Sequence, residues 1–411
     1  MSRVLFLLPT TTYRSHDFLE AARRLDVDVT VASEETSTVE GLNPAGLLTM
    51  DFRDPAGCVR KALAFARKNP VDAVVGVDED TAVAAAAISA ALGLPANPPE
   101  AVAAARNKAV LRSRLDAAGV PTPRSRLFRR EEGPDAAAGI SPYPCVLKPT
   151  FLAASRGVIR ADDPASFLRA WDRIAAILAQ PDVAAKGGDA ANEILVEEFV
   201  PGPEVAVEGL LSNGRLEVLA VFDKPDPLDG PFFEETIYVT PSRLAAPALT
   251  GIQTTTERAT SALGLRHGPI HAEIRVGPTG PSVIEVAARS IGGLCSRTLQ
   301  FGTGMSLEEL ILRHALSREK EAPPRDPRAA GVLMIPIPRG GRLGRVSGLD
   351  EARQVPDVED VVISARPGQI LVPLPEGARY LGFVFSRAGT TERAEAALRE
   401  AHAKLAFEIG D

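Results

Sequence analysis

Two acidic residues stand in strand-like segments of the second half of the chain. Glu273 lies in "HAEIRV" and Glu285 in "IEVAARSIGG", where Arg289 follows four residues later. A carboxylate among aliphatic neighbours is costly unless it is paired, hydrogen-bonded or bound to a metal. Mg²⁺ prefers a few carboxylates together with phosphate oxygens, and an arginine beside them would neutralise charge that develops in phosphoryl transfer. The alternative is a pair of acids on one solvent face of two antiparallel strands, and alternation along either strand fits both interpretations.

Two segments upstream of the acids could bind phosphate. Lys148 ends the apolar strand of "PYPCVLKPT", where a buried ammonium would need a compensating anion. The alternative is a lysine that extends its charge to solvent. Residues 153–158, "AASRGV", offer hydroxyl, guanidinium and backbone N–H donors on a turn of small residues, although an ordinary connecting loop has the same composition.

The stretch "LVEEFVPGPEV" suggests a place for a nucleoside. Two acids follow an apolar strand, and Phe199, Val200, a Pro-Gly turn and Glu204 come next. Backbone groups along such an edge can hydrogen-bond the rim of adenine, while Glu204 accepts bonds from ribose hydroxyls. An edge strand with solvated acids is the alternative interpretation.

Composition excludes several classes of partner. The formal charge of -7 comes without a long basic run, so neither nucleic acid nor an anionic membrane is an expected partner. Three scattered cysteines suit a reducing compartment and predict no disulfide framework. The first apolar run, residues 4–8, is too short for a signal-peptide core or a membrane span, which favours a cytoplasmic location.

The order of predicted elements gives the domain organisation. The first 100 residues alternate strands and helices, as in a doubly wound parallel layer, but lack a G-x-G-x-x-G turn. A helix from about Glu100 follows, "PDVAAKGGDAAN" reads as a loop, and "SNGR" joins two paired strands. Near residue 318 a charged, proline-rich segment marks a boundary, and the tail beyond it is predicted to be a small α+β domain.

Taken in chain order, these features resemble the ATP-grasp superfamily of carboxylate-activating ligases. The lysines come first, then the small-residue loop, "EEFVPGPE", the two glutamates and Arg289. The resemblance covers the whole chain and implies an α/β ATP-grasp fold. It implies a doubly wound pre-ATP-grasp domain over 1–102, an ATP-grasp domain over 103–318 with a lid at about 110–195, and a C-terminal accessory α+β domain over 319–411.

The resemblance also assigns roles to individual residues. Phosphates and adenosine of ATP would be bound by Lys108, Lys148, Ser155, Arg156, Gly157, Glu197, Glu198, Phe199, Val200 and Glu204. Glu273 and Glu285 would bind Mg²⁺, with Mn²⁺ as an alternative ion, and Arg289 would be catalytic by steadying an acyl phosphate. The superfamily often has Asn two residues after the second glutamate, where this chain has Ala287.

Among its branches, the chain is most similar to L-amino acid ligases of the bacilysin synthetase type. Glu235 and Tyr238 in "DGPFFEETIYV" and Gly292 in "ARSIGG" would then place the amino acid substrate. The expected activity is phosphorylation of a carboxylate by ATP followed by attack of an amine, which yields an amide, ADP and phosphate. The expected partners are ATP and small-molecule carboxylates and amines, with amino acids favoured, and family likeness also favours a homodimer.

Two other enzymatic interpretations and one non-enzymatic interpretation remain open at this point. The tail also resembles that of biotin carboxylases, but the residues after Arg289 lack the "QVEHxVTE" stretch of that branch. Purine-pathway ligases have a similar layout and would act on ribonucleotides. The third option is an ATP-binding regulatory protein without catalysis, for which Ala287 is the one hint.

Overall fold

A computed structural model describes residues 2–318 and 322–410. The N-terminal layer is a parallel sheet of order β3-β2-β1-β4 with helices on its faces, which confirms the predicted doubly wound arrangement. Strand β1 is apolar and buried between two parallel neighbours, with Leu5 opposite Thr30 on one side and Val74 on the other. Its elements are β1 (Arg3–Leu7), α1 (Ser15–Arg24), β2 (Asp28–Ser33), a 3₁₀ helix (Glu40–Leu42), β3 (Leu47–Thr49), α2 (Pro55–Ala66), β4 (Ala73–Gly76) and α3 (Glu79–Leu92).

The link out of this layer is two helices, where the sequence predicts one. Helix α4 (Pro99–Arg106) ends at Asn107, and α5 (Lys108–Ala117) begins at once. The Asn107 side chain accepts hydrogen bonds from the N–H groups of residues 109 and 110 at 3.0 and 3.1 Å, so it caps the second helix. The break fixes Lys108 as the first residue of α5.

The lid is an antiparallel sheet of order β5-β8-β6-β7 with helices packed on it. Residues 181–192, predicted as a loop, instead form a short helix and a 3₁₀ turn, because proline at the first position and the alanines that follow favour helix. The lid contains β5 (Ser125–Arg129), a 3₁₀ helix (Arg130–Glu132), α6 (Pro134–Ile140), β6 (Cys145–Pro149), β7 (Ile159–Ala161), α7 (Pro164–Leu178), α8 (Pro181–Gly187), a 3₁₀ helix (Gly188–Asn192) and β8 (Glu193–Glu198).

The remaining strands build a central sheet of order β13-β12-β9-β10-β11-β16-β20-β18, a small sheet of order β19-β17-β21 and a two-stranded sheet of β14 and β15. The first half of this region contains β9 (Glu204–Ser212), β10 (Arg215–Asp223), β11 (Ile237–Thr240), α9 (Ala246–Leu263), β12 (Gly268–Gly277), β13 (Gly280–Ala287), a 3₁₀ helix (Cys295–Thr298), β14 (Gln300–Phe301), β15 (Met305–Ser306) and α10 (Leu307–Ala315). The second half contains β16 (Ala329–Ile335), β17 (Gly341–Ser347), α11 (Leu349–Arg353), β18 (Val358–Ile363), β19 (Ile370–Leu371), β20 (Gly382–Ala388), α12 (Thr391–His402) and β21 (Ala406–Gly410).

The C-terminal strands complete the central sheet. Strand β16 pairs with β11, so Tyr238 lies opposite Val332. The predicted boundary falls at residues 318 and 319, and residues 319–321 lie outside the described part of the chain. The division into three domains stays a prediction.

Both faces of the central sheet are buried. One face packs on α4, α5 and α9, where Leu111 and Ile252 are fully buried. On the other face, Phe6 of the N-terminal layer shares a core with Phe222 and Phe383. The N-terminal layer is therefore attached to the sheet by continuous apolar packing. Within residues 2–318 and 322–410, no helix is long and apolar enough to cross a membrane.

Candidate active site

A cavity of about 370 Å³ lies where the lid, the central sheet and the N-terminal layer meet. Fourteen of the sixteen residues predicted for the site line it: Lys108, Lys148, Ser155, Glu197, Glu198, Phe199, Val200, Glu204, Glu235, Tyr238, Glu273, Glu285, Arg289 and Gly292. Arg156 and Gly157 are not part of the lining. Residues from widely separated parts of the sequence are thus brought to one cavity.

The acid pair sits on neighbouring strands in direct register. Glu273 of β12 lies opposite Glu285 of β13, and the register shifts immediately after it, so that Ile274 pairs with Val283 and Ile284 is the extra residue of a bulge. Their side chains keep 20% and 23% exposure, so both carboxylates can be reached from the cavity. The Lys108 ammonium lies 3.3 Å from Glu285.

On the other side of Glu273, three carboxylates surround one buried ammonium. The Lys224 Nζ atom lies 2.7 Å from Glu204, 3.2 Å from Glu273, and in contact with Glu235. Burial raises the pKa of Glu235 to about 7 against the opposing effect of Lys224. Burial alone would also raise the pKa of Glu273, but Lys224 and His271 hold it well below its usual value.

A second network fixes the backbone beyond the acid pair. The Glu208 carboxylate is 2.6 Å from Nδ1 of His271 and accepts a 2.9 Å bond from the N–H of Ile291. His271 Nε2 lies 3.6 Å from Glu273. Burial would lower the pKa of His271, but these two carboxylates raise it to about 9. The network therefore connects the strand of Glu273 to the turn that carries Gly292.

The lysine at the end of β6 has its counter-ion inside the chain. Lys148 Nζ lies 2.6 Å from Glu197, whose second oxygen accepts a 2.7 Å bond from Nε of Arg112. Burial lowers the pKa of Lys148 despite Glu197, and it would raise the pKa of Glu197 if Arg112 and Lys148 did not lower it overall. The carboxylate of Glu197 thus joins α5 to the lid sheet. The backbone of Glu197 belongs to the segment predicted to bind adenine.

A guanidinium organises the segment that follows β8. Arg275 donates to Glu204 at 2.8 Å and to the carbonyl oxygen of Val200 at 2.8 Å. Its guanidinium carbon lies 5.0 Å from the centre of the Phe199 ring. Arg275 therefore holds three of the predicted nucleotide-binding residues in one arrangement.

Arg289 reaches the cavity wall formed by the N-terminal layer. Its Nε atom donates to Glu79, the first residue of α3, at 2.9 Å. Burial would lower the pKa of Arg289, but Glu79 and Glu285 raise it, so the guanidinium is a fixed positive charge. The catalytic candidate is thereby oriented by a residue more than 200 positions away.

The small-residue loop is held by contacts outside the cavity. Arg156 donates to Gln180 at 2.5 Å, and the N–H of Gly157 donates to the carbonyl oxygen of Pro375 at 2.9 Å. Gly157 has φ +74°, and a Cβ there would meet the Pro149 ring at 2.9 Å. Ser155 alone of the three predicted loop residues lines the cavity.

Ion pairs connect the lid to the N-terminal layer on one side of the cavity and to the C-terminal part of the chain on the other. Lys186 of α8 lies 2.7 Å from Asp80 of α3, and Asp80 also accepts a 2.8 Å bond from Arg106. On the opposite side, Arg173 of α7 forms an ion pair with Glu376. These contacts hold the lid over the cavity.

Several charged residues of the site were not predicted from the sequence. Arg112, Lys224 and Glu208 are buried, and none of them lies in a sequence motif that indicates a functional site. The sequence could have indicated such residues in one way, as charged residues at positions where strand alternation or helical periodicity predicts burial. That signal shows that a partner is needed without identifying it.

Comparison with known proteins identifies the fold. Residues 19–96 match the family model of the ATP-grasp N-terminal domain, and residues 141–298 match that of the ATP-grasp domain. The chain belongs to the ATP-grasp superfamily. Residues 333–410 match L-amino acid ligase C-terminal domain 2, so the branch expected from the sequence has support in the C-terminal part of the chain.

Individual relatives agree with this assignment. The crystal structure of L-amino acid ligase from Bacillus licheniformis is 28% identical and superposes with a TM-score of 0.82 over 100% of this chain and 99% of that chain. Carnosine synthase 1 of Gallus gallus is 31% identical over 300 residues, which are 68% of this chain and 32% of that protein. Alanine--anticapsin ligase of Bacillus subtilis (strain 168) is 28% identical over 234 residues, 54% of this chain and 49% of that protein.

The two curated relatives are matched over about a third and a half of their own lengths. Together with the structural match, they confirm the predicted ATP-grasp fold and support the predicted class of ATP-dependent carboxylate–amine ligase.

Proposed function

We propose that this protein is a ligase that uses ATP to convert a carboxylate into an acyl phosphate and then joins it to an amine. The observation that carries the proposal is a single cavity with three parts: two lysines at the lid, an opposed pair of carboxylates in the middle, and Arg289 with Glu235 and Tyr238 beyond them. This order matches what a phosphoryl transfer from nucleotide to carboxylate requires.

The lid end of the cavity suits the nucleotide. Lys108 and Lys148 supply positive charge for phosphates, and the backbone of residues 197–200 offers an edge for adenine. Glu204, held by Arg275, would accept bonds from ribose hydroxyls. Ser155 is the loop residue that would contact the phosphates.

The acid pair fits a divalent cation. Glu273 and Glu285 present hard oxygen donors from two adjacent strands, both are accessible from the cavity, and Lys108 and Lys224 offset their charge. These two residues would hold Mg²⁺, or Mn²⁺ in its place. When bound, the ion would offset negative charge on the transferring phosphoryl group.

The chemistry would take place in two steps beside Arg289. In the first step a substrate carboxylate oxygen bonds to the γ-phosphorus while the bond from that phosphorus to the ADP oxygen breaks. In the second step the amine nitrogen bonds to the acyl carbon, phosphate leaves and the amine gives up a proton. The guanidinium of Arg289 would stabilise negative charge in both steps, and the lid contacts would exclude water from the acyl phosphate.

Amino acids are the substrates that the site supports best. Glu235 would accept bonds from an ammonium group, and burial holds the pKa of Tyr238 well above its usual value, so the phenol keeps its proton for donation. Gly292 lines the cavity beside Arg289, and a Cβ there would lie 4.0 Å from Nη1 of that arginine. That both substrates are amino acids, and that the protein assembles as a homodimer, stay predictions.

The test is a substrate screen. Purified protein is incubated with ATP, Mg²⁺ and pools of amino acids, phosphate release is measured, and products are identified by mass spectrometry. We expect phosphate release that depends on the pool and a product mass equal to two amino acids less one water. A parallel reaction with bicarbonate tests the carboxylase interpretation. Nucleotide binding without phosphate release in any pool would instead favour the regulatory interpretation.

A further inference from the structure

The carboxylate cluster around Lys224 is a feature that the nucleotide and metal assignments do not explain. Lys224 directly follows β10, and its side chain is 2% exposed. Its three acidic contacts come from β9, from β12 and from the segment before β11: Glu204, Glu273 and Glu235. Among the described residues, Lys224 is the cation that contacts Glu235.

The geometry of the three acids is that of a cation site. One carboxylate oxygen from each acid lies within 4.8 Å of the other two, close enough for all three to bind one metal ion. Three carboxylates at such distances repel one another unless a positive charge compensates them. The Lys224 ammonium provides that charge at hydrogen-bonding distance from Glu204.

Lys224 acts through its neighbours. The three acids line the cavity, whereas Lys224 lies behind them and is not part of the lining. Glu204 has a second cationic partner in Arg275, and Glu273 has one in His271. The orientation of Glu235 therefore depends on Lys224 more strongly than that of the other two acids.

We propose that Lys224 is a positioning residue that takes the place of a metal ion among the three acids. It fixes Glu235 toward the amino acid substrate and excludes a divalent cation from the cluster, so that metal binds on the side of Glu273 that faces Glu285. The role toward substrate rests on the proposed ligase function, whereas the exclusion of metal does not.

The test compares three variants by two measurements. Lys224→Met removes the charge and keeps the length of the side chain, Lys224→Arg keeps the charge, and Lys61→Met is a matched control on the surface of the N-terminal layer. Mn²⁺ binding without nucleotide is measured by electron paramagnetic resonance, and KM and kcat are measured by phosphate release.

We expect Lys224→Met to bind Mn²⁺ at least 10-fold more tightly than the unsubstituted protein, and to raise KM for the amino acid at least 10-fold. Lys224→Arg should restore exclusion of Mn²⁺ and recover most of the KM, and Lys61→Met should change neither quantity. A folded Lys224→Met protein with unchanged Mn²⁺ affinity and unchanged KM would overturn the proposal.

A double variant keeps the test decisive if Lys224→Met does not fold. Lys224→Met with Glu235→Gln removes one carboxylate together with the lysine, so recovery of folding would support the counter-ion role and failure to recover it would overturn that role. A further outcome is that phosphate release is absent from the unsubstituted protein and from every variant, while Lys224→Met still binds Mn²⁺ more tightly than the unsubstituted protein. In that case the ligase proposal fails and the exclusion of metal stands.

Discussion

Replacing Arg112 by methionine should destabilise the lid by about 3 kcal/mol. Arg112 donates at 2.7 Å to Glu197 and at 2.6 Å to the carbonyl oxygen of Ile284, and both charged side chains of the pair are 3% exposed. Removing one partner of a buried ion pair costs about 3–5 kcal/mol. The lower value applies here because Glu197 keeps Lys148 as a partner.

The single tryptophan of the chain makes this effect measurable. Trp171 is buried in the lid core against Phe167, so its fluorescence reports unfolding of the lid in a urea titration. With a dependence of about 1–3 kcal/mol per molar urea, the midpoint should fall by roughly 1 to 3 M. The matched control is Arg345→Met, which breaks an exposed pair with Glu408 and should leave the midpoint unchanged. Equal midpoints for both variants would refute the assignment of Arg112 as a structural partner.

Burial, with His267 adding to it, lowers the pKa of His314 from 6.5 to about 4. The unfolded histidine binds a proton that the folded one does not, so the free energy of unfolding should fall by up to about 3 kcal/mol from pH 6.5 to pH 4 in urea titrations. His314→Gln should flatten this slope, and an equally steep slope in that variant would contradict the reasoning. Lys186→Met removes the contact of the lid with Asp80 and should raise KM for ATP several-fold with little change in kcat, as measured by phosphate release; an unchanged KM would count against the lid contact. Glu285→Gln should abolish turnover without altering the circular dichroism spectrum, and full activity would rule out its proposed role in metal binding.

Most of the cavity lining could be predicted because its residues come in the order along the chain that the resemblance to the ATP-grasp superfamily implies. That Glu273 and Glu285 come together was predictable from their two adjacent strands. The bulge at Ile284 was not, because one extra residue changes the register without changing the alternation of apolar residues. Counting alternation along either strand therefore could not decide which face the two acids share.

The counter-ions could not be predicted for a different reason. Burial of Lys148 indicated that an anion was required, but Glu197 lies 49 residues further along and meets it through strand pairing. Lys224 shows the same limit, since its partners Glu204 and Glu273 belong to strands on either side of it in the sequence. A sequence shows that a buried charge is unpaired locally, whereas only the assembled sheet shows what neutralises it.

The pairing of β16 with β11 lets the C-terminal tail contribute both to the central sheet and to the cavity wall. The tail supplies a structural neighbour for the strand that carries Tyr238, and its residues Met334, Ala378 and Tyr380 form part of the cavity wall. An exchange of this tail between related enzymes would therefore change the shape of the cavity and the packing of strand β11 together. We expect substitutions in this part of the tail to change substrate preference, within the limit that the stability of the sheet sets.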